Sequence, residues 1–160
     1  MHQATHEEDY LNYALVMHEQ AQFYTPRYFD HKDKRTVISI LLAKITGSYT
    51  HVKEIKRFMK WLMETAPKTP GGLLWLDSRG SNYLAAGVSF IAFESAMVVE
   101  KLDFDGEVLA DKYRKFGKSQ LGYLLGDSGK SFVVGFGEDP PTRPYHRASS
   151  CPSTAKFVVF

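Results

Sequence analysis

Three adjacent side chains near the C-terminal end, Tyr145, His146 and Arg147, set a phenol, an imidazole and a guanidinium side by side. Pro140, Pro141 and Pro144 precede them, each fixing φ and removing a backbone donor, so the trio sits on a stiff, irregular loop. Loops of that kind often carry binding residues: Arg offers a fork of donors, His titrates near neutral pH, and Tyr stacks and donates one hydrogen bond. Three carboxylates lie close by. Asp127, in Gly126-Asp127-Ser128-Gly129, reads as turn chemistry. Glu138 and Asp139 are neighbours on an extended loop, where adjacent side chains point apart rather than across a substrate. The histidines show no metal-ligand spacing; His2 and His6, at i and i+4 beside the chain start, are incidental. No metal and no cofactor is expected.

Positioning such a loop requires a scaffold, and the apolar periodicity predicts helices. Thr5 followed by Glu8 is a capping-box pattern that opens a first helix through Leu11, Ala14, Leu15 and His18, closed by Pro26. Asp33 is placed to cap a second, with Val37, Ile38, Leu41, Leu42 and Ile45 as its stripe and Gly47 as its stop. A third runs from about 51 to 65, with Val52, Ile55, Phe58, Met59 and Leu62 on one face. Lys53, Glu54, Lys56, Arg57 and Lys60, on the other face, read as a solvated surface. After a loop at Pro67, Pro70, Gly71 and Gly72, a fourth helix is predicted at about 81–100, rich in Ala and Ser, and a fifth at about 107–125. The run Ser131–Gly137 reads as a short β-type segment. Trp61 and Trp75, flanked by leucines, read as core residues.

Composition narrows the function classes. The chain has 160 residues, 44% of them hydrophobic, which is one domain's worth of core. Its 20 basic and 18 acidic residues are mixed along the chain, so no single-sign field points to nucleic acid or an anionic membrane. The run Val88–Val99 is interrupted by Glu94 and too short to span a bilayer, and Met1–Asp9 lacks the apolar core of a signal peptide. Cys151 stands alone, so no intrachain disulfide forms.

The segment Leu124–Pro152, LLGDSGKSFVVGFGEDPPTRPYHRASSCP, resembles the active-site signature of glycoside hydrolase family 9, with its Gly, Pro and Arg positions in place. Upstream, Lys68-Thr69-Pro70-Gly71-Gly72-Leu73-Leu74-Trp75-Leu76 is similar to the family's Y-T-P-G-G-L-x-W-L, and Leu41–Gly47 to its L-L-A-K-L-T-G. The likeness runs from about Tyr10 to Pro152, which divides the chain into a partial catalytic domain, 1–152, and a divergent tail, 153–160. It implies an all-α fold: part of an (α/α)6 barrel, its helices joined to a Gly/Pro-rich active-site loop. It also implies an inverting β-1,4-glucanase, a cellulase, from a family of secreted proteins, with a β-1,4-glucan or cello-oligosaccharide as partner and no nucleic acid or membrane.

Inversion needs a carboxylate base and a carboxylic acid roughly 6.5–9.5 Å apart, flanking the scissile bond. In the family these belong to an Asp-Ala-Gly-Asp element and an Asn-Glu-Val-Ala-like element, and neither occurs in this sequence. The resemblance assigns substrate binding to Tyr145, His146 and Arg147, with Tyr145 at the position of the family's active-site His. Asp139 stands at the family's Asn, Arg79 at a Trp, Gly87 at an Asn, and His31-Lys32 at the first two residues of W-D-D-K. The implied reading is a glucanase piece lacking both catalytic carboxylates. The alternative is a non-catalytic glucan-binding or interaction protein derived from one. Part of a helical ring also leaves apolar flanks uncovered, so the 160-residue chain is expected to be inactive alone and to self-associate. Size-exclusion chromatography should show elution ahead of the monomer position; a compact monomer with cooperative unfolding would contradict it.

Overall fold

Residues 1–20, 29–30 and 32–144 are described by the computed structural model. All regular structure among them is helical: α1 (His2–Thr5), α2 (Glu8–Gln20), α3 (Arg35–Thr46), α4 (Tyr49–Glu64), α5 (Ser81–Leu102) and α6 (Gly106–Leu125). The chain divides into two compact units, residues 1–120 and 121–160.

The five long helices fall where periodicity puts them, but the first begins differently, and its expected end at Pro26 lies outside the described residues. The Thr5 hydroxyl closes α1 by donating to the Met1 carbonyl and accepts the Glu7 amide at 3.3 Å, so no capping box forms with Glu8. Asp33 accepts the Arg35 amide at 3.1 Å, one residue ahead of the expected cap geometry, and the Arg35 guanidinium beside it holds its carboxyl below the usual range. Gly47 ends α3 at φ 66°, with its N–H on the Ala43 carbonyl.

The core of the first unit lies among α3, α4 and α5, each of which packs on the other two. Val52, Ile55, Phe58, Met59 and Leu62 of α4 are buried, as are Ile40, Leu42 and Ala43 of α3. The 22 residues of α5 exceed the apolar run seen in sequence and make it long enough to cross a bilayer; here it buries Leu84, Val88, Ile91, Ala92, Val98 and Val99 against protein. Its small residues allow close helix packing: a Cβ on Gly117 of α6 would lie 3.1 Å from the Ser89 carbonyl and 3.2 Å from Ala92 Cβ.

The charged face of α4 is not uniformly solvated. Lys53, Arg57 and Lys60 are exposed, but Lys56 pairs at 2.5 Å with Asp103, whose side chain is only 5% exposed. Glu54 turns inward as well and binds residues of α2 and α3. The reason is tertiary: Asp103 terminates α5, and α5 packs along α4, so the last turn of one helix brings a carboxylate to the flank of the other. Burial, and then the same Asp103 carboxylate, raise the phenol pKa of Tyr113.

The hydrogen bond that Lys56 donates to the Asp103 carboxylate raises the lysine pKa above 10.5. The pair therefore contributes fully below pH 10.5 and loses its contribution as pH rises through the elevated folded-state value. Replacing Lys56 by Met strands the buried carboxylate, at a cost of about 1–2 kcal/mol once the partial exposure of the lysine is discounted. Chemical denaturation of both proteins should show a gap that is constant through neutral pH and closes in strong alkali.

Candidate functional site

The loop that follows α6 is shaped by backbone passing against backbone. Gly126, at φ 121°, turns the chain off the helix while its N–H donates to the Gly122 carbonyl at 3.0 Å. The chain then folds back: Phe132 N–H donates to the Leu124 carbonyl at 2.9 Å, and Ser131 N–H to the Glu138 carbonyl at 2.6 Å. At Gly137, φ 83°, a Cβ would stand 2.0 Å from the Leu125 carbonyl oxygen, and at Gly126 one would stand 2.8 Å from the Glu138 nitrogen. Only glycine fits these two approaches.

The expected β-type run at Ser131–Gly137 is instead a series of turns and bends. The buried Ser131 hydroxyl accepts the Val133 N–H at 3.0 Å, and Gly135 and Gly137 are left-handed, so a strand pleat cannot propagate. The Tyr123 ring stacks on Phe132, centroids 6.2 Å apart. Asp127 serves the turn, its N–H on the Gly122 carbonyl and its carboxylate folded over Gly122. Asp139 lies at φ 38°, a backbone state that Asn and Asp tolerate better than other side chains. This is a conformational reason for a short polar residue there, which a reading based on donors and acceptors misses. Its exposed carboxylate lies 3.9 Å from Lys130. Tyr145, His146 and Arg147 fall outside the described residues, as do His31 and Cys151.

In the first unit, the loop between α4 and α5 is clamped by a residue with no sequence-level signal. Gln120, buried on α6, accepts the Leu74 N–H at 2.8 Å and donates to the Gly72 carbonyl at 2.9 Å. Lys68 and Leu74 form an isolated antiparallel bridge, and Leu73 and Leu74 point into the core. Trp75, read from its flanking leucines as a core residue, is 49% exposed. Once Leu73 and Leu74 are buried, the clamped backbone leaves the next side chain outside. Trp61 is half-buried and stacked on Phe58, 6.1 Å between centroids. Gly87 lies under Phe29: a Cβ there would meet the Phe29 carbonyl at 3.1 Å and its ring at 3.2 Å, so an Asn would have to displace that segment.

The structure also assembles a polar cluster that spacing along the chain did not show. His18 of α2, His51 and Glu54 of α4 bring their ligating atoms within 4.8 Å of one another. Glu54 Oε2 lies 3.0 Å from His18 Nε2 and 3.4 Å from His51 Nδ1, and it accepts the Ser39 hydroxyl at 2.8 Å. His18 and Glu54 are 36 positions apart, beyond any helical repeat.

The model of glycosyl hydrolase family 9 matches residues 1–158. Endoglucanase A of Bacillus pumilus is 35% identical over 159 residues, covering 91% of this chain and 23% of that protein. Among solved structures, the endoglucanase of the termite Nasutitermes takasagoensis superposes with a TM-score of 0.83 at 37% identity, covering 94% of this chain and 33% of that one. Endoglucanase CelQ of Clostridium thermocellum, complexed with cellotetraose, superposes with a TM-score of 0.77 at 30% identity, covering 92% and 26%. The chain thus spans between about a quarter and a third of the length of these relatives.

The two classes of glycine in the loop should separate on substitution. Gly137→Ala forces backbone apart, whereas Gly135→Ala, with open space around its Cβ, pays only left-handed strain of about 1–2 kcal/mol. Amide hydrogen exchange at Ser131 should accelerate more than tenfold in the first variant, roughly 1.4 kcal/mol per decade, and clearly less in the second.

Proposed function

The chain belongs to glycosyl hydrolase family 9, and on that premise we propose that it forms the part of a β-1,4-glucanase domain that binds the sugar chain and carries neither catalytic carboxylate. Its helices are part of the (α/α)6 barrel of that family. The observation that carries the reading is the family match across 1–158, which includes the glycine-built loop leading to Tyr145, His146 and Arg147.

The chemistry follows from the groups. A cello-oligosaccharide offers hydroxyls along its edges and apolar C–H faces on its rings. Arg147 supplies forked donors to hydroxyls, His146 one donor or acceptor, and the Tyr145 ring a face for stacking. Hydrolysis with inversion requires in addition an acid and a base across the bond. Asp127 is engaged in a turn and Asp139 is a solvated surface carboxylate, so neither suits that pair. The protein acts outside the cell, because an insoluble glucan does not enter it.

One residue favours a second reading, a glucan-binding protein without turnover: Tyr145, where the family has an imidazole, cannot exchange protons near neutral pH. The two readings part in a protein that contains both carboxylates. Turnover that rises on Tyr145→His supports the glucanase, and its absence in both forms supports the binder.

For the 160-residue chain, calorimetric titration with cellotetraose should show binding without release of reducing ends. Arg147→Ala should weaken it about tenfold or more, the loss of charge-assisted hydrogen bonds. Reducing-end release by the purified chain would refute the assignment of the carboxylates elsewhere, and an unchanged affinity in Arg147→Ala would refute the binding role.

A further inference from the structure

We infer that His18, His51 and Glu54 form a three-ligand site for a divalent transition metal of the zinc type, joining α2 to α4. The site is distinct from the glucan-binding loop and does not depend on the reading of that loop.

The donor set and its spacing both fit. Two imidazoles and one carboxylate are ligands that zinc accepts, with bonds of about 2.0–2.2 Å, so ligand atoms around a tetrahedral ion stand about 3.3 Å apart. Here the Glu54 Oε2 atom lies 3.0 Å from His18 Nε2 and 3.4 Å from His51 Nδ1, and all three ligating atoms fall within 4.8 Å. The rings meet edge to face, centroids 5.0 Å apart, and the two nitrogens approach the same Glu54 oxygen. Three ligands leave a fourth position for water.

The surroundings support the same reading. Both histidines are buried, at 8% and 6% exposure, whereas the Glu54 side chain is 34% exposed and gives an ion a path from solvent. Ser39 donates to Glu54 at 2.8 Å, the kind of outer hydrogen bond that orients a ligating carboxylate. The placement also has a mechanical use. A groove of about 830 Å³, open to solvent, runs between Leu11 and Ala14 of α2 and Ile38, Leu41 and Ile45 of α3. An ion held by His18 near the end of α2 would tie that helix to α4 beyond the groove.

Zinc chloride and cobalt chloride are the probes, on the 160-residue chain. One equivalent of cobalt should produce the visible d–d absorption of a four-coordinate ion, and one equivalent of zinc should shift the ring resonances of His18 and His51 in histidine-selective NMR. His18→Gln and Glu54→Gln should abolish the one-equivalent step, Ser39→Ala should weaken it about tenfold, and His6→Gln should leave it unchanged. The NMR readout needs no variant and so stands even if a substitution unfolds the chain. Unmoved His18 and His51 resonances, or a cobalt spectrum that survives His18→Gln and Glu54→Gln, would overturn the site; the latter would place the ion on other residues.

Discussion

Five side chains of α4, Val52, Ile55, Phe58, Met59 and Leu62, are withdrawn from water between α3 and α5, and the first unit is organised around that burial. Each contributes about 1.5–3 kcal/mol relative to exposure. Their common face sets how α4 is rotated about its axis, and that rotation then dictates where its polar residues go. Glu54 and Lys56 lie on the margins of the buried stripe, so they meet neighbouring helices, while Lys53, Arg57 and Lys60 lie opposite and meet water.

A polar group at such a margin must find a partner from whatever helix covers it, because an unmatched buried charge or amide is costly. Asp103 receives Lys56, Glu54 receives Ser39 with the two histidines, and Gln120 receives the Leu74 amide. Apart from His51, which lies on α4 three positions from Glu54, these partners come from other elements, 15 to 47 positions away. They tie α2, α3, α5 and the 67–75 loop to the central packing, and they hold Trp75 outward on a backbone that cannot shift.

The second unit solves a different problem with different means. Its loop has little side-chain burial; Ser131 and Leu124 are its buried residues among those described. Order comes from backbone hydrogen bonds and from glycines that let carbonyls and amides approach. The family signature is therefore in large part a record of steric necessity: Gly126 and Gly137 are required by 2–3 Å approaches, and position 139 by a left-handed backbone. Tyr145, His146 and Arg147, the residues proposed to bind sugar, follow that loop in the sequence.

What the sequence by itself determined was whatever is encoded locally. Apolar stripes at helical spacing identified five long helices, Gly47 marked a stop, and the signature with its upstream motifs identified the family. Local patterns failed where a neighbouring element decides the outcome. The Ser131–Gly137 run looked like a strand until its glycine conformations were seen, and Trp75 looked buried because its leucine neighbours are. The face of α4 looked solvated because periodicity reports which side of a helix is apolar and nothing about what packs on the margins of that side. Only the tertiary structure could bring His18 to His51 and Glu54, Asp103 to Lys56, and Gln120 to the 67–75 loop, since each pairing depends on how separate helices dock, a property carried by packing geometry rather than by any spacing along the chain.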